Sequence, residues 1–174
     1  MQLTEILNKA ERETSRTELT KLAEMFSTSP TSCTLSDERY QSELSQKNLT
    51  QQIDAHLHRG FDPKDSTIVI PVLEALKKFD QRAYQNPVDE LLDGLRICAQ
   101  LADAVIYLDK VKSRLPDFVK EHPSRYSIGG ALKDIVDRTP KVIGELNAER
   151  YRIVNYLISK IIPKIGIVKR PREF

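Results

Sequence analysis

Apolar residues recur along most of this chain in steps of three and four, the spacing of helices with one buried face. Leu3, Ile6, Leu7 and Ala10 open the pattern, and Leu19, Leu22, Ala23 and Phe26 resume it. Between them Glu11–Glu18 is almost wholly polar, and an isolated helix of that kind is marginal in water. Residues 1–26 therefore read as an N-terminal helical arm, packed on the core or standing off it. The stretch STSPTSCTLS (27–36) interrupts the period with Ser, Thr and Pro30 and reads as a loop.

A second helix is predicted from about Ser36 to Arg59, with Tyr40, Leu44, Leu49, Ile53 and Leu57 along its inner stripe. Gly60 suits a left-handed stop, and Asp62-Pro63 a turn. Thr67–Val72 is β-branched like a strand, yet Pro71 argues against a central strand. It reads as the apolar entry to a helix that continues through Leu73, Leu76 and Phe79 to about Tyr84.

The clearest start is Asn86-Pro87, a good N-cap followed by a residue preorganised for the first helical position. Asp89 and Glu90 complement the positive helix end. Leu91, Leu95, Cys98, Ala102, Val105 and Leu108 keep the period, with Leu92, Leu101 and Ile106 widening the face. A face that wide predicts a central helix over 86–113. Pro116 and Pro123 are expected to bracket a separate short turn of helix. Ser127 caps a helix carrying Leu132, Ile135 and Val136, and Thr139-Pro140 repeats the cap-then-proline start. The last long helix aligns Ile143, Leu146, Ile153, Val154, Leu157, Ile158 and Ile161, and Pro163 is expected to end it.

The fold class that follows is all-α: an irregular bundle of about six or seven helices, residues 36–174, with two long central helices and a basic tail. Composition agrees. The chain has 174 residues, enough for one domain, and its 6% aromatic content without Trp favours aliphatic helix packing over a β-sandwich. No run of 18 apolar residues is present and the N-terminus lacks a secretory h-region. Two cysteines, Cys33 and Cys98, cannot make a disulfide framework. Free thiols in a reducing, cytoplasmic compartment are the expectation.

Charge changes the picture more. Residues 1–109 hold 12 Lys/Arg against 18 Asp/Glu, a net −6, while residues 110–174 hold 15 against 7, a net +8. The excess gathers in Arg150, Arg152, Lys160, Lys164, Lys169, Arg170 and Arg172, opposed late in the chain by Glu173. Such asymmetry marks a surface that meets an anionic partner. The anionic-partner site is therefore placed on Lys160, Lys164, Lys169, Arg170 and Arg172.

Candidate chemistry is thin. IDAHLHRGF (53–61) resembles the Asp-x-His-x-His pattern of amidohydrolases over nine residues. Two histidines two apart converge on a metal only from a strand, and here they fall on a helix, about 200° apart. They read as solvated helix-end residues. Asp54 and His58, four apart, share a helical face and read as a helix-end contact. Ser127-Ile128-Gly129-Gly130, near Arg125 and Lys133, lacks the GxxxxGK[ST] spacing of a phosphate loop and reads as a hinge.

No catalytic residue, cofactor or metal is assigned. The leading function is a non-enzymatic protein–protein interaction module, an adaptor or regulator, acting through a helix face or its basic C-terminal end. A peripheral binder of anionic phospholipid membranes is the alternative, and an enzyme with an unrecognised site the third reading. Nucleic acid is disfavoured by sparse aromatic interleaving, and no small-molecule substrate is inferred.

Overall fold

The computed structural model describes residues 3–27, 49–59, 63, 69–123 and 131–169. Seven α-helices and no strand occur among them: α1 (Leu3–Arg12), α2 (Arg16–Glu24), α3 (Leu49–Arg59), α4 (Val69–Gln81), α5 (Pro87–Glu121), α6 (Ala131–Tyr156) and α7 (Ile162–Lys169). The 3₁₀ turn Met25–Ser27 follows α2, and the π-helical segment Leu157–Ile161 joins α6 to α7. The all-α bundle with two long helices is thus observed. Tyr40, Leu44, Gly60 and Asp62, the Ser127 cap and Gly129-Gly130 lie outside the described residues.

Helix α5 is the centre. Leu101–Leu108 are buried without a break, including Asp103 and Tyr107. Only a helix covered on every side buries eight successive residues. Its longest partner is α6, with α4 flanking it and α1 packed across it. Asn86 caps it as the sequence predicts, its side chain accepting from the Val88 N–H at 2.9 Å. Leu3, Ile6, Ala10, Leu19, Leu22 and Phe26 belong to the same buried cluster as α5, so residues 3–26 contribute side chains to the core. The chain bends between α1 and α2 because the Glu13 carboxylate accepts from the Thr14 and Ser15 N–H groups, while Ser15 Oγ accepts from the Glu18 N–H.

Three prolines lie inside helices where the sequence predicts a boundary. Pro116 lies inside α5, which runs to Glu121. The carbonyl it orphans belongs to Lys112, and both residues are exposed, so water can satisfy it. Arg114 also reaches over the proline to Glu121, with 2.8 Å between Nη2 and Oε2. Pro140 lies inside α6 rather than at its start. It too is exposed, and the buried Thr139 hydroxyl donates back to the Ile135 carbonyl at 2.7 Å instead of capping a new helix.

Pro163 is the most telling case. The helix widens into π geometry over Leu157–Ile161, the Ile162 N–H donating to the Leu157 carbonyl, and then resumes as α7. Proline cannot donate and its ring crowds the preceding turn, so loosening that turn lets the chain continue. The result matters for packing, because Ile161, Ile162 and Ile165 are fully buried. Ile165, two residues beyond Pro163, is core and not tail. Close approach under the π segment requires Gly94: a Cβ there would stand 2.7 Å from Leu157 Cδ2.

Candidate functional site

The basic segment is built on this π-to-α junction. Ile161, Ile162 and Ile165 point inward, which fixes the orientation of the helix that carries Lys160 and Lys164. Both lysines are exposed, and among the described residues neither has an ion-pair partner. Lys169 closes α7. Its side chain, Arg170 and Arg172 lie outside the described residues, so of the five expected site residues the structure describes the side chains of two, Lys160 and Lys164.

The other two cations counted in the charge excess serve the fold. Arg150 is buried, with its guanidinium 5.0 Å from the Tyr151 ring centroid and Nη2 3.3 Å from the Tyr151 hydroxyl. Arg152 joins α6 to α4 through Asp80 at 2.9 Å and also holds Glu149 at 2.7 Å. Net charge alone had merged buried, paired and outward-facing groups.

A second polar site was missed. Helix α3 is held on α5 by Ile53 and Leu57 and by a chain of side-chain contacts beside them. Arg114 grips Asp54 with both arms of its guanidinium, Nε to Oδ1 at 2.7 Å and Nη2 to Oδ2 at 2.9 Å. That bidentate bond to Arg114 holds the Asp54 carboxyl below its ordinary range, although partial burial opposes the shift. The same bond to Asp54, joined by the one to Glu121, raises Arg114.

Of the two histidines, His56 is half-buried in this clasp, while His58 is exposed near the end of α3, as the sequence predicts. His56 Nδ1 lies 2.8 Å from the hydroxyl of buried Tyr107, whose burial pushes its pKa up to about 12. His58 packs edge-on against Phe118 and His122, with ring centroids 4.9 Å and 4.7 Å away. The sequence pairs Asp54 with His58; the stronger partner of Asp54 is Arg114, sixty residues on, and His58 adds a smaller electrostatic pull on the same carboxylate. The two imidazoles of the His-x-His string therefore contact different α5 residues, as the helical spacing requires. Among the described residues no group of three or more His, Cys, Asp or Glu is placed to hold a metal ion.

Cys98 offers no accessible nucleophile. It is fully buried beside the Arg150 carbonyl, and burial pushes the thiol up to about 12. Cys33 lies outside the described residues, as does Arg125, and Lys133 is bonded to Asp137 at 2.9 Å. Among the described residues no helix is long and apolar enough to cross a membrane. Comparison with family models, curated proteins and solved structures finds no match for this chain.

Proposed function

We propose that the chain is a non-enzymatic helical interaction module, an adaptor or regulator whose basic segment 160–172 binds an acidic surface on a partner protein. One observation carries this reading: Lys160 and Lys164 face outward without a carboxylate partner among the described residues, on a helix whose other side is locked into the core. Like charges that are left unanswered oppose compaction, and a partner that answers them turns this cost into affinity. A rigid helical base also lowers the ordering cost of binding. Lys169, Arg170 and Arg172 extend the charge further along the chain.

The test compares a labelled Glu-rich peptide with vesicles containing anionic phospholipid. Saturable, salt-sensitive binding of the peptide, lost when Lys160 and Lys164 become Glu, supports the reading. Binding to the vesicles alone moves the assignment to a membrane surface.

A further inference from the structure

A shallow cleft of about 270 Å³ opens between α4 and α5, far in sequence from the basic segment. Its floor is apolar: Phe79 and Ile97 are each only 6% exposed, and Ala75 lies beside them. Its wall is cationic, formed by Lys78, Arg82 and Arg96. The acid in the lining is Asp93, and its carboxylate already accepts three bonds. Arg82 Nη1 reaches it at 3.2 Å, Arg96 Nη1 at 3.0 Å and the Tyr84 hydroxyl at 2.8 Å. Burial, then the Asp93 bond, raises the Tyr84 hydroxyl above its ordinary range, so Tyr84 remains a donor.

Stability does not explain this gathering. Arg82 and Arg96 are 60% and 49% exposed, and ion pairs at that exposure contribute little. What Asp93 does is position. It draws two guanidinium groups to one point, and Tyr84 supports one of them from below, its ring 4.5 Å from Arg82 Cζ. Three cations against one acid leave the lining at +2. Each guanidinium carries five donors, so a single bond to Asp93 leaves most of them available. Among the described residues Lys78 has no ion-pair partner and the Gln100 side chain makes no hydrogen bond.

We propose that this cleft binds a small organic anion. The oxyanion, a carboxylate or phosphate, is held by Arg82, Arg96 and Lys78, and the apolar body attached to it rests on Phe79 and Ile97. Preplaced guanidinium forks match the paired oxygens of a carboxylate or phosphate better than point-like ammonium groups do. The apolar floor requires that the anion carry a hydrocarbon or aromatic part. This site is independent of segment 160–172 and does not require that segment to bind anything.

Two-dimensional ¹H–¹⁵N NMR of the full chain, titrated with benzoate, phenyl phosphate, inorganic phosphate and benzamide, tests the site. The expected result is saturable shifts confined to 75–84 and 93–100 with benzoate or phenyl phosphate. Inorganic phosphate, lacking the apolar body, and benzamide, lacking the charge, should each bind at least about tenfold more weakly. K78Q/R96Q, exposed changes checked for folding by circular dichroism, should weaken benzoate or phenyl phosphate at least about tenfold, while K160E/K164E should not. Whichever of the two aromatic anions binds tighter identifies the oxyanion. Equal response to benzamide, equal response to inorganic phosphate, shifts elsewhere, or no loss in K78Q/R96Q would overturn the proposal.

Discussion

Where α3 meets α5, one guanidinium answers two carboxylates: Arg114 lies 2.7 Å from Asp54 and 2.8 Å from Glu121. Across the π-to-α junction, Lys160 and Lys164 stand exposed with no carboxylate answering among the described residues. Both regions rest on the same core through buried aliphatic residues, Ile53 and Leu57 in one and Ile161 and Ile165 in the other. The difference is where the charge is spent. In the clasp it ties two helices together, whereas in the basic segment it remains at the surface. Changes to the clasp should therefore act on stability, and changes to the lysines on binding.

Changes to the shared core should have the largest effects. Leu101→Ala in α5 and Ile165→Ala in α7 should each cost about 2–5 kcal/mol by chemical denaturation. Lys164→Ala, one residue from Ile165, should stay within about 0.5 kcal/mol. Equal effects of Ile165→Ala and Lys164→Ala would mean that α7 is not anchored.

Gly94 tests the packing beneath the π segment. Gly94→Ala should destabilise by about 1–3 kcal/mol, because the buried Leu157 side chain must yield. Gly144 has nothing within 4 Å of an added Cβ, so Gly144→Ala should instead stabilise by up to about 1 kcal/mol. Opposite signs for two glycine-to-alanine changes separate close approach from helix propensity.

The clasp gives smaller effects with a pH signature. Arg114→Met should cost about 1–2 kcal/mol, less than a fully buried pair because Arg114 and Asp54 are 19% and 27% exposed. Asp54 is held low by Arg114, so its contribution is complete above the unfolded carboxyl value of about 3.9 and is lost as pH falls through the lower folded value. Wild type should therefore lose more stability than Asp54→Asn between about pH 5 and pH 2. Parallel pH profiles for the two would remove Asp54 from the clasp. His56→Ala should cost about 1 kcal/mol through the lost Tyr107 contact, where a solvated histidine would cost nothing measurable.

Much of the fold was legible because apolar periodicity and cap chemistry are local. The Asn86-Pro87 start, the wide face of α5 and the helical reading of Val69–Gln81 all follow from short-range pattern. The continuation through Pro116, Pro140 and Pro163 was not legible, since it depends on which carbonyl each proline orphans and whether water or a π turn can absorb the loss. The Ser15-x-x-Glu18 spacing did announce the α2 start and was available to be read. The clasp was hidden for a different reason: Asp54 and Arg114 are sixty residues apart, and charge counting carries no pairing information. Arg150 shows the same limit, a cation that adds to the basic excess while being buried.

That outward charge at Lys160 and Lys164 serves binding is tested by a salt-resolved anisotropy titration. A labelled Glu-rich peptide is titrated with wild type, with K160E/K164E and with K141E, the last an exposed lysine of α6. The account predicts that wild-type affinity falls steeply from low to physiological salt, where exposed charges are screened beyond about 8 Å. It also predicts that K160E/K164E binds at least about tenfold more weakly at low salt, with its fold intact and K141E near wild type. Equal affinity for all three proteins, or an equal loss per charge in K141E, would contradict it and reduce the basic segment to a contribution to overall net charge.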